Sequence, residues 1–215
     1  MSSESTTSVE WDAETAETAA SWMRHVAAMQ PLVDAAIERG CEPSLAKYLG
    51  QSAGMARSVY EHNSRRLGRE PDTGYASFEE FVLKHGQAFV PPPEKKPRPK
   101  GFRKGRDKMC FMNATHAAVE RDWAYVEGFA VGFIPAHHAW TVDADGNTVE
   151  ATWKTSGDSY FGVVFPDAVW RVTVRMTGVY GMKNELLLEE PYTPESYVER
   201  AEAAMKEGRR FRHWW

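Results

Sequence analysis

Apolar residues recur along this chain first at helical and then at strand spacing. Between residues 12 and 39, Trp22, Val26, Met29, Val33 and Ile37 follow at intervals of three and four, which places them on one face of a helix. Pro31 lies inside that pattern. Lacking an N–H and crowding the preceding turn, it predicts a break or kink, and Gly40 ends the segment. A second helix is expected over 44–66, with Ser44 as N-cap and Leu45, Tyr48, Leu49, Met55 and Val59 as its apolar positions. Ser77 and Glu80 have capping-box spacing ahead of "FEEFVLKHGQAF", a third helix.

The pattern breaks at "PPPEKKPRPKGFRKGRDK", residues 91–108, which holds five prolines and eight Lys/Arg. Proline at that density favours extended backbone and removes ladder donors, so a basic linker or arm is expected between a helical N-terminal extension (1–90) and a second unit (109–215). In that second unit "CFMNATHAAVE" is helix-compatible, "YVEGFAVGF", "HHAWTVD" and "NTVEATW" have strand character, and "ADG" is a turn. "YFGVVF" continues the strands. "AVWRVTVRMTGVYG" alternates Val169, Arg171 and Thr173 with Trp170, Val172 and Val174, and is expected to be another strand. Thr193 with Pro194 opens a final helix. The closing "RRFRHWW" is either an anchor for a partner or a terminal segment docked on the core.

Composition narrows the class. With 215 residues, 42% hydrophobic and 12% aromatic, the chain can bury a core without disulfides or metal. A net charge of −4 is no global signature of a nucleic-acid or membrane binder, so the arm, 95–108, is the one segment that charge alone could bring to an acidic partner or nucleic acid. Two cysteines allow one disulfide at most, which favours a reducing compartment. No apolar run approaches the roughly 20 residues that span a bilayer, and the polar, acidic first dozen residues do not resemble a signal peptide. The expectation is a cytoplasmic protein without membrane contact.

Cys110 begins a helical run, where unpaired N–H groups and the positive end of the helix dipole favour thiolate over thiol. A thiolate nucleophile needs an imidazole to carry its proton, and the imidazole needs a third group to fix its tautomer. Histidines at 137 and 138 and an acid at 150 follow in order. The hairpin register chooses between the histidines. A two-residue Asp145-Gly146 turn would put Glu150 on the face of His137, whereas a three-residue Ala144-Asp145-Gly146 loop with Gly146 left-handed sets Asp143 opposite Asn147 and Trp140 opposite Glu150. Glu150 then shares a face with His138, a diagonal step of about 7–8 Å that a glutamate can bridge. Adjacent histidines on a strand point to opposite faces, which argues against a shared zinc ion, and no cofactor or metal is expected. Asn113, one turn along the cysteine helix, is a candidate brace or oxyanion donor.

A cysteine at a helix start, a "YVEG" strand, "HAW", an Asp-Gly turn and "VEATW" together resemble the transglutaminase-like core of the papain-like cysteine peptidase superfamily, over about residues 108–166. The resemblance implies an α+β fold with a cysteine-bearing helix packed on an antiparallel sheet, and a thiol-dependent amide hydrolase or acyltransferase acting on a protein or peptide amide. By position in the motif, it makes Cys110 the nucleophile, His138 the general base and Glu150 the orienting acid. The family's usual "VDPTW" becomes "VEATW" here, so the acid is one methylene longer and a proline is lost. A second function class stays open: the same fold without catalysis, serving as a protein- or nucleic-acid-binding module.

Overall fold

A computed structural model of the protein describes residues 13–68, 70, 74–93 and 98–209. The first twelve residues and residues 210–215, which hold most of "RRFRHWW", lie outside the described residues. The N-terminal pattern forms two helices, α1 (Ala13–Ala28) and α2 (Gln30–Glu38), with Pro31 in the first turn of α2 and Gly40 at φ +88° after its end. The break was foreshadowed by Pro31, but it rotates the buried face: Met29, Val33 and Ala36 are buried, while Trp22 and Ile37 remain exposed. The next helix, α3 (Pro43–Arg66), is capped by Glu42 rather than Ser44, because Pro43 fits the first helical position. The Glu42 carboxylate accepts from the Ser44 and Leu45 N–H groups at 3.0 and 2.9 Å. Bare glycines let α3 approach its neighbours: a Cβ on Gly54 would lie 2.6 Å from the Val26 backbone.

Helix α4 (Phe78–His85) starts at Ser77 as expected but stops at Gly86. "QAF" is therefore not helical; Gln87–Phe89 forms strand β1, paired with the last strand of the sheet. Then come α5 (Cys110–Arg121), β2 (Ala124–Val131), β3 (Pro135–Val142), β4 (Thr148–Val149), β5 (Ser159–Phe165), α6 (Asp167–Thr177), a short 3-10 turn and α7 (Pro194–Lys206). The sheet is antiparallel in the order β1-β5-β2-β3-β4.

The segment expected as a last strand is helix α6. Its buried residues, Val169, Trp170, Val172 and Thr173, follow helical spacing, and Arg171 and Arg175 share the exposed face. Asp167 holds the first turn by accepting from Trp170 Nε1 at 3.1 Å and pairing with Arg171, and Gly178 ends it at φ +70°. Packing against α7 outweighs the β-branched composition that suggested a strand. Helix α7 follows the expectation, with Thr193 and Ser196 closing a reciprocal capping box.

One large core cluster joins Val33, Leu45 and Leu49 of α2 and α3, Phe78 and Phe81 of α4, Ala114 and Ala118 of α5, Phe129 and Phe161 of the sheet, and Tyr197 of α7. The N-terminal helices thus share their core with the sheet. A second, smaller cluster of Val126, Ala130, Trp140 and Tyr160 takes the alternate positions of the strands. Gly128 stands beside His138 on β3 and Gly162 on β5, and a Cβ on Gly162 would meet the Trp140 ring at 2.7 Å. The glycine pair makes room for that tryptophan beside the histidine. The architecture is mixed α+β with an antiparallel sheet.

Candidate active site

The site is assembled at the loop of the β3–β4 hairpin, the sheet position of His138 and the start of α5. Gly146 is left-handed at φ +83°, and Asp143 N–H donates to the Asn147 carbonyl at 3.0 Å. The loop therefore has three residues, Thr141 pairs with Val149, and Glu150 comes opposite Trp140 as the longer loop predicts. His138 Nε2 lies 2.8 Å from Glu150 Oε2, with both side chains buried.

Strand β4 ends at Val149, so "EATW" is not strand. The reason is the Glu150 carboxylate itself: Oε1 accepts from the Thr152 and Trp153 N–H groups at 2.7 and 2.9 Å, which takes those donors away from any ladder. Oε2 accepts from the Tyr160 hydroxyl at 3.0 Å besides the histidine. Four donors thus surround a fully buried carboxylate. Burial alone would favour the neutral acid, but the His138 hydrogen bond and charge, with the two backbone N–H groups, outweigh it and lower its pKa.

Cys110, half-buried at the start of α5, lies close enough to His138 to act on its charge, while Glu150 holds the ring at Nε2. Burial opposes a charge on this ring. The interactions of Cys110 and Glu150 with the ring overcome that effect and raise the His138 pKa to about 9. Trp153 stacks on the ring at 4.2 Å between centroids and 20° between planes, and fixes its orientation. Cys110, His138 and Glu150, the three residues marked by the sequence, are brought together.

His137 faces elsewhere. Its Nε2 lies 2.8 Å from Glu127 Oε1, among the rings of Phe78, Phe111 and Phe129. Buried Glu127 also accepts from the Tyr125 hydroxyl and the Met182 N–H, each at 2.7 Å. This second acid–imidazole pair is structural support under the sheet.

Asn113 is a brace. Both protons of its amide are engaged, one by the Arg106 carbonyl at 2.7 Å and one by Thr152 Oγ1 at 2.9 Å, so neither is free for an oxyanion. The arm residues on either side do similar work. Arg98 Nη1 donates to the carbonyls of Glu150 and Trp153 at 2.9 and 2.7 Å, and Gly105 N–H donates to the Ala151 carbonyl at 2.8 Å. The described part of the arm, 98–108, is tied to the loop that carries the acid.

Tyr160 and Arg98 are not marked as site residues by the sequence. Trp153 had a signal, its place in "VEATW"; Tyr160 and Arg98 reach Glu150 across 10 and 52 residues of sequence, and no local pattern reports such contacts. Among the described residues no helix is long and apolar enough to cross a membrane. Comparison with family models, curated proteins and solved structures finds no match to this chain.

Proposed function

We propose that the chain is a thiol-dependent amide hydrolase or acyltransferase with a transglutaminase-like, papain-like core, in which Cys110, His138 and Glu150 act as nucleophile, proton carrier and orienting acid. One observation carries the proposal: buried His138 is held by Glu150 at 2.8 Å, with Cys110 near enough to the ring to favour its charged form. Its raised pKa favours the protonated ring near neutral pH, the form that pairs with a thiolate.

In the forward step the Cys110 sulfur attacks the amide carbonyl carbon, a C–S bond forms, and the carbonyl oxygen takes up negative charge. Met109 supplies no side-chain cap, which leaves the first N–H groups of α5 to stabilise that oxygen. The C–N bond then breaks as His138 passes its proton to the departing amine, leaving a thioester on Cys110. Water or an amine next attacks the thioester; His138, now neutral, takes the acceptor's proton, the C–S bond breaks with the sulfur leaving as thiolate, and the starting pair of protonated ring and thiolate is restored. Water as acceptor makes a peptidase or deamidase, an amine a transferase. Glu150 keeps the ring in register throughout. A protein or peptide amide is the substrate we infer, and two free thiols suit a reducing, cytoplasmic setting.

The test is acyl-enzyme capture. On mixing with p-nitrophenyl acetate, the protein should release a burst close to one equivalent of p-nitrophenolate and gain one acetyl group on Cys110. Cys110→Ala should abolish the burst and His138→Gln should slow it. Acetylation spread over lysines, with no burst, would instead favour a non-catalytic fold used for binding.

A further inference from the structure

The arm carries charge as well as hydrogen bonds. From Arg98 to Lys108 there are six Lys/Arg and one acid, Asp107, in a chain whose net charge is −4. Arg98 is committed to the Glu150 and Trp153 carbonyls, and Lys104 is paired with Asp107. Lys100, Arg103, Arg106 and Lys108 are exposed, and among the described residues none has an ion-pair partner.

The backbone that carries these four cations is held in place. The Arg98 contacts and the Gly105–Ala151 hydrogen bond hold the segment against the acid loop, the Asn113 bonds to Arg106 hold it against α5, and the chain then runs directly into Cys110. Lys108 has φ 63°, a left-handed conformation costly for a side chain of its size, two residues before the sulfur. Positive charge is therefore carried on the segment that leads directly into Cys110, with Lys108 two residues from it.

We propose that this row selects acidic acyl donors: peptides or protein segments with Asp or Glu flanking the amide that Cys110 attacks. The inference rests on the catalytic reading above and names its substrate class. A nucleic acid is the poorer fit. Base stacking needs a free ring, and the arm's one aromatic, Phe102, is packed on Trp123 at 5.2 Å with the Arg121 guanidinium 5.9 Å from its centroid.

The test uses the full chain and reads alkylation of Cys110 by peptide mapping, so that no natural substrate is needed. Iodoacetate and iodoacetamide share a mechanism and differ in charge. Replacing Lys100→Gln, Arg103→Gln and Lys108→Gln together should reduce the iodoacetate rate at least about threefold more than the iodoacetamide rate, and remove most of the salt dependence of their ratio. A glutamine peptide flanked by glutamates should protect Cys110 at least about threefold better than a neutral peptide of the same length, and lose that advantage in the triple variant. Equal protection by both peptides, or protection by a single-stranded oligonucleotide alone, overturns the inference. Slow labelling by iodoacetamide overturns the nucleophile assignment and the substrate class with it, whereas fast labelling without charge preference overturns the substrate class only.

Discussion

His138 Nε2 and Glu150 Oε2 meet at 2.8 Å across a hairpin whose three-residue loop decides that they share a face. The glutamate's additional methylene is taken up by the turn it makes. Its second oxygen binds the Thr152 and Trp153 N–H groups, so the carboxylate is anchored before it orients the ring.

Replacing that acid separates its two duties. Glu150→Gln keeps the length but removes the charge, and should lower acylation of Cys110 by about 100-fold or more. It also loses charge-assisted hydrogen bonds in a buried site, at a cost of about 2–4 kcal/mol in urea unfolding. Glu150→Asp keeps the charge but cannot span both the backbone N–H groups and the imidazole. It should leave the ring less firmly held, with activity between the two.

Stability should depend on pH in two windows. The His138 pKa is raised from an ordinary value near 6.5 to about 9, so its contribution is complete below about 6.5 and is lost as pH rises through about 9. The Glu150 pKa is lowered, so its contribution is present above about 4.5 and is lost as pH falls through its folded value. From this couple, urea midpoints should be highest between those limits. Cys110→Ala removes one of the groups that hold the ring charged, and should shift the His138 titration downward when followed by ring-proton NMR.

Arg98 tests the arm. Arg98→Ala leaves the Glu150 and Trp153 carbonyls without their donor and should destabilise the protein by about 1–3 kcal/mol. If the clamp positions the acid, the acylation rate of Cys110 should also fall, and Arg98→Lys, which can restore one donor, should recover part of it. Loss of stability with an unchanged rate would make the clamp a purely structural tie.

Gly146 tests the register. At φ +83° a β-branched residue is strained, so Gly146→Val should cost about 1–3 kcal/mol, whereas Gly146→Asn, which tolerates the left-handed region, should cost less. A one-residue shortening of the loop that left the His138 titration unchanged would contradict the role given to the register.

Much of the site was legible because its parts are local. Cys110 at a helix start, the two-residue period of β3 and the Asp-Gly loop are short-range facts, and together they place three side chains. What was not legible is long-range. Helix α6 was expected to be a strand because Val169, Val172, Thr173 and Val174 favour one by composition; its packing on α7 decides otherwise. "QAF" lacks a periodicity of its own and becomes a strand only because β5 offers it a partner. The donors that hold Glu150 come from its own turn, from Tyr160 and from His138, and only the hairpin pair can be counted out from sequence.

The most direct measurement is the rate at which iodoacetamide alkylates Cys110 at pH 6, compared between the native chain and His138→Gln, with buried Cys41 as internal reference. Proton transfer to His138 predicts rapid, selective labelling of Cys110 at that pH and a loss of about tenfold or more in the variant. A slow rate that is the same in both proteins would contradict the account.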